Sequence, residues 1–263
     1  MGGDFLISSS IIKGRDKIKC DDSVYSVENE LGYFIGLSDG AGSKANSHLG
    51  SKYVLEFAEI YIVEYLKRIK CNPKKINLDF KKEFIFDLQE ALKACFLEEL
   101  DNYAATLLFV QYIKEYDRYL IAHIGDGVIG GVIYDNELVV VSTPENGEFS
   151  NETFFYSDNE AFNHLRMYWV RGLRGIVMFS DGPEVVLYSK KEKKLANGVK
   201  NLFSWQKELK EGFDEILKDN LELFSQYTND DCSIVISQNL IEDLLIISQI
   251  LRDKHVRYKS FKR

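Results

Sequence analysis

The chain has 263 residues, is 45% hydrophobic and 28% charged, and carries a formal net charge of −8. This composition supplies enough apolar residues for a large core, in one large domain or two small ones, and it argues against long disordered segments and against a general nucleic-acid-binding protein. Because no apolar run approaches the roughly 18 residues that a membrane-spanning helix needs, we expect no membrane protein.

The cysteines and the N-terminus indicate a cytoplasmic protein. The four cysteines are widely spaced and form no Cys-x-x-Cys pair, which favours reduced thiols over a disulfide framework or a zinc site. The N-terminus lacks the basic region that opens a secretory signal peptide.

The first part of the chain predicts antiparallel strands followed by two helices. Short apolar runs predict strands at Phe5–Ser10, Ser23–Val27 and Tyr33–Leu37. Apolar residues then recur at spacings of three and four. This pattern predicts a long helix that Ser47 caps and that Pro73 ends, and a second helix at Asp79–Leu97.

The second part predicts more strands, a less regular stretch and a block of helices. The predicted strands are Ala105–Ile113, Tyr119–Ile124, Val128–Tyr134, Leu138–Val141, Gly175–Phe179 and Cys232–Ser237, with Thr143–Trp169 irregular. The predicted helices are Glu184–Lys194, Trp205–Phe224 and Ile241–Leu251. Because strands and helices are segregated into blocks and do not alternate, this order indicates an α+β fold.

Three of the predicted strands lead into the same dipeptide. Asp39-Gly40, Asp126-Gly127 and Asp181-Gly182 each follow an apolar run after one intervening residue. Asp-Gly is a common turn signal, and for any single pair that interpretation is the better one. Together the three favour a shared pocket of carboxylates, and such a pocket must take up protons or bind cations.

Two further acidic pairs, Asp21-Asp22 and Asp230-Asp231, adjoin predicted strands. No histidine stands beside any of these acids in a metal-ligand spacing such as His-x-x-x-His. Oxygen-only sites suit Mg²⁺ or Mn²⁺ and not Zn²⁺. The sequence therefore predicts a site for a hard divalent cation.

These acids lie in an ordered series of motifs that resembles the metal-dependent protein phosphatases of the 2C type, especially their bacterial branch. The resemblance extends from about Ile7 to Ser237. The matching segments are, in order, KGRDKIKCDDSV (13–24), LSDGAGSKANSHLG (37–50), ATLL (105–108), IGDG (124–127), GEFSNET (147–153), FSDGPE (179–184) and DDCSIVI (230–236). Each segment is a weak signal alone, and all of them in this order are a strong one.

The resemblance implies a four-layer α-β-β-α sandwich, in which two central antiparallel sheets are flanked by helix pairs and the metal ions bind in a cleft at one sheet edge. It implies a single phosphatase domain over residues 1–263, with a core at about 5–237 and a C-terminal helix and basic tail at 239–263. We expect this domain to be a monomer.

The resemblance also implies which residues bind metal. Asp39 would bridge two Mg²⁺ or Mn²⁺ ions, with the backbone carbonyl of Gly40 on one of them. Asp181 and Asp230 would complete the shell of the first ion. Asp21 stands where the family usually has Glu or Gln, in contact with the second ion.

Other residues acquire roles around these ions by the same resemblance. Asp22 would orient a metal-bound water, and Lys17 stands where many members place a phosphate-binding arginine. Asp126, with Glu184, would serve a third and weaker ion that occurs in bacterial members. The implied reaction is in-line attack on phosphorus by a hydroxide that bridges the two main ions.

The chain departs from the family pattern at several positions. Asp21 is one methylene shorter than glutamate, Lys17 lacks the bidentate fork of arginine, and Gly127 replaces the usual serine. The segment after Gly40, which begins with Ala41, lacks the histidine that eukaryotic members often have. Water is therefore the expected proton donor for the leaving group.

Two functions from different classes follow. The first is a metal-dependent phosphatase that hydrolyses phosphoserine and phosphothreonine in proteins and opposes a cognate kinase. The second, motivated by the departures at Asp21, Lys17 and Ala41, is a weakly active or inactive phosphatase-like module that binds a phosphoprotein or a signalling partner. The substitution Asp39→Asn separates them: the enzyme hypothesis predicts that it abolishes turnover, whereas the binding-module hypothesis predicts tight partner binding that survives it.

Overall fold

Two five-stranded antiparallel sheets form the centre of this computed structural model, which describes residues 5–96, 99–133, 136–147 and 153–240. The strands are β1 (Phe5–Ile12), β2 (Ser23–Asn29), β3 (Gly32–Ser38), β4 (Leu107–Ile113), β5 (Arg118–Ile124), β6 (Val128–Ile133), β7 (Leu138–Ser142), β8 (Arg166–Val170), β9 (Leu173–Phe179), β10 (Tyr188–Ser189), β11 (Lys194–Leu195) and β12 (Cys232–Asn239). One sheet has the order β2-β3-β4-β5-β8 and the other β1-β12-β9-β6-β7, while β10 and β11 pair separately.

Helices cover the outer faces of both sheets. They are α1 (Ser47–Arg68), α2 (Leu78–Cys95), α3 (Ala161–His164), α4 (Asp181–Leu187), α5 (Asn197–Leu209) and α6 (Phe213–Phe224). Within the described ranges, no helix has both the length and the apolar character needed to cross a membrane. The C-terminal helix and basic tail predicted from the sequence, and most of the segment 147–153, lie outside the described residues.

Three apolar clusters define the layers. The first packs α1 and α2 on the outer face of the β2-β3-β4-β5-β8 sheet. The second packs α4, α5 and α6 on the outer face of the other sheet. The third lies between the two sheets, where Ile35 and Leu37 of β3 share a cluster with Ile176 and Met178 of β9. The predicted α+β class and the four-layer arrangement are therefore confirmed.

Strand β3 shows how the sequence builds these layers. Tyr33, Ile35 and Leu37 pack between the sheets, whereas Phe34 points to the helix side and stacks on Phe109 with ring centroids 5.2 Å apart. Successive side chains of a strand point to opposite faces, and both faces here are covered. The strand therefore consists of a continuous apolar run, without the polar alternation of a half-exposed strand.

The predicted helix at Trp205–Phe224 is wrong as a single element. The chain forms α5 and α6 with a break at Lys210, whose φ is +46°. The apolar side chains keep a spacing of three and four residues across the break. Periodicity alone therefore did not indicate that the helix is interrupted at Lys210. The signal was the polar Lys210-Glu211-Gly212, since glycine commonly follows a helix end.

Two other predictions also need correction. The predicted helix at Glu184–Lys194 ends at Leu187, and its second half forms the β10-β11 hairpin, because the charged residues from Lys190 to Lys194 offer no apolar face. Ser47 is not the cap of α1: Asn46 holds that position, and Ser47 is the first helical residue.

Strand β8 was missed within the stretch predicted to be irregular. Met167 and Trp169 face the helix-side cluster, whereas Tyr168 and Val170 face the cluster between the sheets. Because both faces bury apolar side chains, the alternation of polar and apolar residues that marks a strand is weak here.

Candidate metal centre

The strand register brings Asp22 and Asp39 to the same end of one sheet. Ser23, the first residue of β2, pairs with Ser38, the last residue of β3. Asp22 immediately precedes this pair and Asp39 immediately follows it. The two carboxylates therefore meet because their strands are antiparallel neighbours.

The second sheet contributes three more aspartates at the same place. The last residue of β9 pairs with the first residue of β6 and with the third residue of β12. Asp181 follows β9, Asp126 precedes β6 and Asp230 precedes β12. The charges of all three act on the carboxylate of Asp39, which shows that the two sheet ends face one another.

Backbone hydrogen bonds fix the turn that carries Asp39. Its N–H donates to Oγ1 of Thr106 (2.9 Å), and the Thr106 N–H donates to the carbonyl of Asp39 (2.8 Å). The N–H of Gly40 donates to the Asp21 carbonyl (3.1 Å). A Cβ at Gly40 would lie 2.8 Å from the carbonyl oxygen of Ser47, so only glycine fits this crossing.

The turn at Asp181 is fixed in a similar way. A Cβ at Gly182 would lie 2.1 Å from the carbonyl oxygen of Asp231, a distance that no side chain tolerates. The segment around Asp181, at the start of α4, is thus packed directly against the segment that leads into β12. This contact explains why glycine follows the aspartate.

Crowding raises the pKa values of the clustered carboxyls. Burial, followed by the charges of Asp22 and Asp181, raises the pKa of Asp39 well above its usual range, although its side chain keeps some contact with solvent. Burial and then the charge of Asp230 raise the pKa of Asp181 to about 7. Burial raises the pKa of Asp126 as well. Without cations, the cluster therefore holds protons at a pH where aspartate is normally ionised.

Several buried carboxylate oxygens in the cluster lack partners. Asp22 is 6% exposed, and neither of its oxygens has a hydrogen bond within the described part of the chain. Burial raises its pKa to about 6; the hydroxyls of Ser180 and Ser233 are near enough to moderate that rise but do not meet hydrogen-bond geometry. Oδ1 of Asp181 is also buried and has no hydrogen-bond partner among the described residues. Unpaired carboxylate oxygens are the donors that hard divalent cations prefer.

Asp21 is oriented differently from Asp22. Its Oδ1 accepts a hydrogen bond from Oγ of Ser47 (2.9 Å), and its carbonyl accepts one from Oγ of Ser51 (2.6 Å). The structure therefore brings Asp22 into the cluster around Asp39 and ties the Asp21 carboxylate to the first turn of α1.

The side chain of Lys17 contacts Asp230 and Asp231, the two acids that precede β12. Its ammonium forms ion pairs with Asp230 and with Asp231, the latter at 3.1 Å. Burial opposes the charged form, but the hydrogen bonds to these two carboxylates outweigh it and raise the pKa of Lys17. The lysine that was predicted to bind phosphate is therefore engaged by a predicted metal ligand.

Asp231 organises this side of the cluster, a role that the sequence did not reveal. Its side chain is 1% exposed and accepts hydrogen bonds from the backbone N–H groups of Gly14 and Asp21, both at 2.7 Å. These contacts join segments more than 200 residues apart. The only signal was its position beside Asp230.

The remaining acids form a side branch. Oε2 of Glu184 forms an ion pair with the ammonium of Lys190 at 2.8 Å, while its Oε1 is buried with no hydrogen-bond partner in the described ranges. Burial raises the pKa of Glu184, and Lys190 counteracts that rise. The charge of Asp126 also acts on Glu184. These two acids therefore lie together at one side of the Asp39 cluster.

The carboxylate oxygens of the cluster are suitable ligands for a divalent cation, but they do not surround a single point. In the ranges that the structure describes, no three His, Cys, Asp or Glu side chains converge closely enough to hold one ion. The ammonium of Lys17 neutralises part of the cluster, and burial, followed by the charges of the neighbouring carboxylates, keeps the pKa values of Asp39 and Asp181 raised. Side-chain rotation would be required to close a coordination shell.

The chain matches the sequence profile of a known family, and its fold matches solved structures. Residues 13–222 match the sequence profile of the family described as Protein phosphatase 2C. No protein with a curated description matches the chain.

Solved structures of similar fold include those of PstP, RsbX and Stp1. The catalytic domain of the serine threonine protein phosphatase PstP, in complex with two manganese ions, has a TM-score of 0.59 and 15% identity over 89% of this chain and 97% of that chain. RsbX in complex with magnesium has a TM-score of 0.56 and 12% identity over 89% and 94%. The serine/threonine phosphatase Stp1 from Staphylococcus aureus has a TM-score of 0.56 and 15% identity over 88% and 94%. At these identities the likeness establishes the fold.

Proposed function

The chain belongs to the protein phosphatase 2C family, and on that basis we propose that it is a Mg²⁺- or Mn²⁺-dependent phosphatase that hydrolyses phosphoserine and phosphothreonine in proteins. One observation carries the proposal: Asp22, Asp39 and Asp181 come together from two sheets, their carboxyls have raised pKa values, and some of their buried oxygens have no hydrogen-bond partner among the described residues. A cluster of this kind gains stability from cations.

The proposed metal ligands follow the family pattern. Asp39 would bridge two ions, the carbonyl of Gly40 would contact one of them, and Asp181 with Asp230 would complete the first shell. Asp21 would serve the second ion, after its carboxylate leaves Ser47 or through an intervening water. When bound, the ions lower the pKa of water toward neutrality and offset charge on the phosphoryl oxygens.

A third and weaker site would form at the side branch. Asp126 and Glu184 interact there, and Oε1 of Glu184 is buried without a partner. A cation would compete with Lys190 for Glu184. This competition is consistent with weaker binding than at the Asp39 cluster.

The chain's own residues would position the reactants. Asp22 is buried beside Asp39, and neither of its carboxylate oxygens has a hydrogen-bond partner among the described residues, so it can accept a hydrogen bond from an attacking water and orient it. A cation on Asp230 would weaken the hold of that carboxylate on Lys17. The released ammonium would then be available for a phosphate oxygen of the substrate.

A second candidate function is a binding module with little turnover. The engaged ammonium of Lys17 and the contact of Asp21 with Ser47 favour it, because both residues stand away from the positions that catalysis requires. In this alternative the cleft would recognise a phosphoprotein without hydrolysing it.

Metal-dependent hydrolysis distinguishes the two functions, and one substitution tests whether that hydrolysis depends on Asp39. Metal-stripped protein should be inactive on a phosphopeptide and on p-nitrophenyl phosphate, and Mn²⁺ or Mg²⁺ should restore hydrolysis. Because losing a residue that only supports a ligand costs about 10–100-fold, Asp39→Asn should reduce turnover by at least about 100-fold. Asp219→Asn, the same change on the exposed face of α6, should leave turnover unchanged. Phosphopeptide binding without metal-dependent hydrolysis in the unmodified chain would favour the binding module.

The proposed setting of this activity is the cytoplasm, where phosphorylated Ser/Thr proteins and a cognate kinase would be the partners of a monomeric enzyme. All four cysteines are free thiols, which suits a reducing compartment.

A further inference from the structure

An apolar groove of about 630 Å³ lies beside the candidate metal centre. Its described lining comes from α4, from the end of α6 and from the residues that follow α6, and consists of Val185, Val186, Leu223, Phe224, Gln226 and Tyr227. Val185 is one helical turn along α4 from Asp181, and Tyr227 is three residues before Asp230. The groove therefore adjoins the end of the sheet at which the aspartates gather.

Large apolar side chains are exposed in this groove. Val185 is 61% exposed, Leu223 is 56% exposed and Tyr227 is 74% exposed. Phe224 continues this apolar surface inward, because it packs on the cluster beneath α4, α5 and α6. Exposed apolar side chains that lie together, unlike single ones, mark a surface that another segment covers.

The chemistry of the groove and of its neighbourhood defines what would cover it. The described lining of the groove carries no charged side chain. Asp181 and Asp230 lie next to it, and the charge of Asp230 contributes to the raised pKa of Asp181 although Lys17 pairs with Asp230. A matching segment is therefore apolar where it contacts the groove and basic where it approaches the aspartates.

The C-terminal part of the sequence has this composition in this order. Seven of the eleven residues at 241–251 are apolar, and the sequence predicts a helix there. The next twelve residues, 252–263, include six lysines or arginines and only one acid, in a chain whose net charge is −8. Both stretches lie outside the described residues.

The starting point and the length of this segment allow it to reach the groove. Strand β12 begins next to Asp230 and leads away from the metal centre, so residue 240 lies roughly 25 Å from that end of the sheet at the rise of a β-strand. Eleven residues span about 16 Å as a helix and about 36 Å when fully extended. A segment that turns back along the helix layer can therefore reach the groove with residues 241–251.

We propose that residues 241–251 of the same chain occupy the groove between α4 and α6, and that the basic tail at 252–263 then lies against the aspartate cluster. The contact removes the exposed surface of Val185, Leu223 and Tyr227 from water. The tail supplies cations to carboxylates that Lys17 neutralises only in part. In this arrangement a divalent ion has to displace the tail, so the tail controls access to the metal centre.

Photo-crosslinking of the full chain, stripped of metal, tests which segment occupies the groove. A benzophenone side chain introduced at Leu223 should cross-link to a peptide from 241–251, in a product that has the mass of one chain. The same side chain at Ile60, an exposed position of α1, should not cross-link to that peptide. A cross-link from Leu223 to a second copy of the chain, or no cross-link to 241–251, would overturn the proposal.

Hydrogen exchange in the same metal-free chain measures how strongly the groove protects the segment. Amides at 241–251 should exchange at least about ten-fold more slowly than in an unstructured peptide, and Val185→Ser with Leu223→Ser should remove most of this protection. Ile60→Ser with Phe86→Ser, on exposed positions of α1 and α2, should leave it unchanged. Unprotected amides in the unmodified chain, or equal protection in the two double variants, would refute the docking.

Charge reversal tests the placement of the tail. Lys254→Glu with Arg257→Glu turns attraction to the aspartates into repulsion, and should speed exchange at 241–251 by at least about three-fold. Lys52→Glu with Lys82→Glu makes the same charge change on exposed positions of α1 and α2, and should leave exchange unaltered. Equal exchange in these two double variants would refute the contact of the tail with the aspartates. Because these measurements need neither metal nor turnover, their outcome is independent of the phosphatase activity proposed above.

Discussion

Asp22 and Asp181 hold their protons more tightly in the folded protein than in the unfolded chain, with pKa values of about 6 and about 7 against 3.8 for ordinary aspartate. A group whose folded pKa is raised favours folding fully below its unfolded pKa, and that contribution is lost as the pH rises through the folded pKa. The metal-free protein should therefore lose stability between about pH 4 and pH 7, by on the order of 7 kcal/mol for the two groups together.

Urea denaturation of metal-free protein at several pH values measures this loss. Asp181→Asn should flatten the pH dependence, since asparagine cannot ionise. Asp219→Asn, on an exposed face of α6, should keep the slope of the unmodified chain. If the free energy of unfolding of the unmodified chain rose from pH 5 to pH 7, and Asp181→Asn removed that rise, the crowding described here would be contradicted.

Lys17 acts as an internal cation for Asp230 and Asp231. Replacing it by methionine removes the cation from both carboxylates, so a divalent ion that binds Asp230 no longer competes with an ammonium. We expect Lys17→Met to tighten Mn²⁺ binding about ten-fold and to lower the metal-free melting temperature. Calorimetric titration with Mn²⁺ measures the affinity.

The neighbouring Lys19 provides the control for this substitution. Its ammonium contacts the Ala45 carbonyl at 2.6 Å and Nδ1 of His48 at 2.9 Å, and no aspartate of the cluster. Lys19→Met should leave Mn²⁺ affinity unchanged. Weaker binding in Lys17→Met than in Lys19→Met would show that Lys17 helps to assemble the metal site.

At this scale the sequence could predict which acids gather, but not how their side chains point. The repeated Asp-Gly strand ends were sufficient to group Asp39, Asp126 and Asp181. Whether Asp21 or Asp22 faces Asp39 depends on Ser47 and Asp231, which hydrogen-bond to Asp21 from positions 26 and 210 residues away in the chain. Contacts of such long range leave no local pattern.

The element that leads from β9 into α4 depends on glycine. A Cβ at Gly182 would lie 2.1 Å from the Asp231 carbonyl, so Gly182→Ala must displace the segment before β12. We expect a destabilisation of about 1–3 kcal/mol, typical of overpacking at a rigid contact. Urea denaturation at a fixed pH measures the change.

Gly198 makes a matched comparison for that substitution. It lies in the first turn of α5, and a Cβ there would meet nothing within 4 Å. Gly198→Ala should be neutral or stabilise the helix by up to about 1 kcal/mol. If Gly182→Ala proved as stable as Gly198→Ala, the close approach of α4 and the segment before β12 would be refuted.

Element types could be predicted from periodicity, whereas several boundaries could not. Strand β3 is a continuous apolar run, and helix α1 has apolar residues at spacings of three and four over many turns. Both elements form where expected. The break between α5 and α6 and the start of the β10-β11 hairpin depend on positive φ at Lys210 and Lys193. Lysine rarely adopts that conformation, so nothing in the sequence marks these two lysines as turn residues; for the first break the only signal was the nearby Gly212.

On the scale of the whole molecule, the candidate centre lies at one end of two sheets that pack on each other and are covered on their outer faces by different helices. Asp22 and Asp39 belong to the sheet that packs on α1 and α2, whereas Asp126, Asp181 and Asp230 belong to the sheet that packs on α4, α5 and α6. Ions bound among them would connect the two sheets at one end. The resemblance of the motifs predicted this arrangement, because their order along the chain reflects the order of the strands.

The most direct test is anomalous X-ray diffraction from crystals of the full chain grown with Mn²⁺. We predict two manganese peaks about 3.5–4 Å apart, with the Asp39 carboxylate between them and with Asp181 and Asp230 in contact with one of the ions. Saturating Mn²⁺ that leaves no anomalous peak within reach of Asp39 would contradict the account.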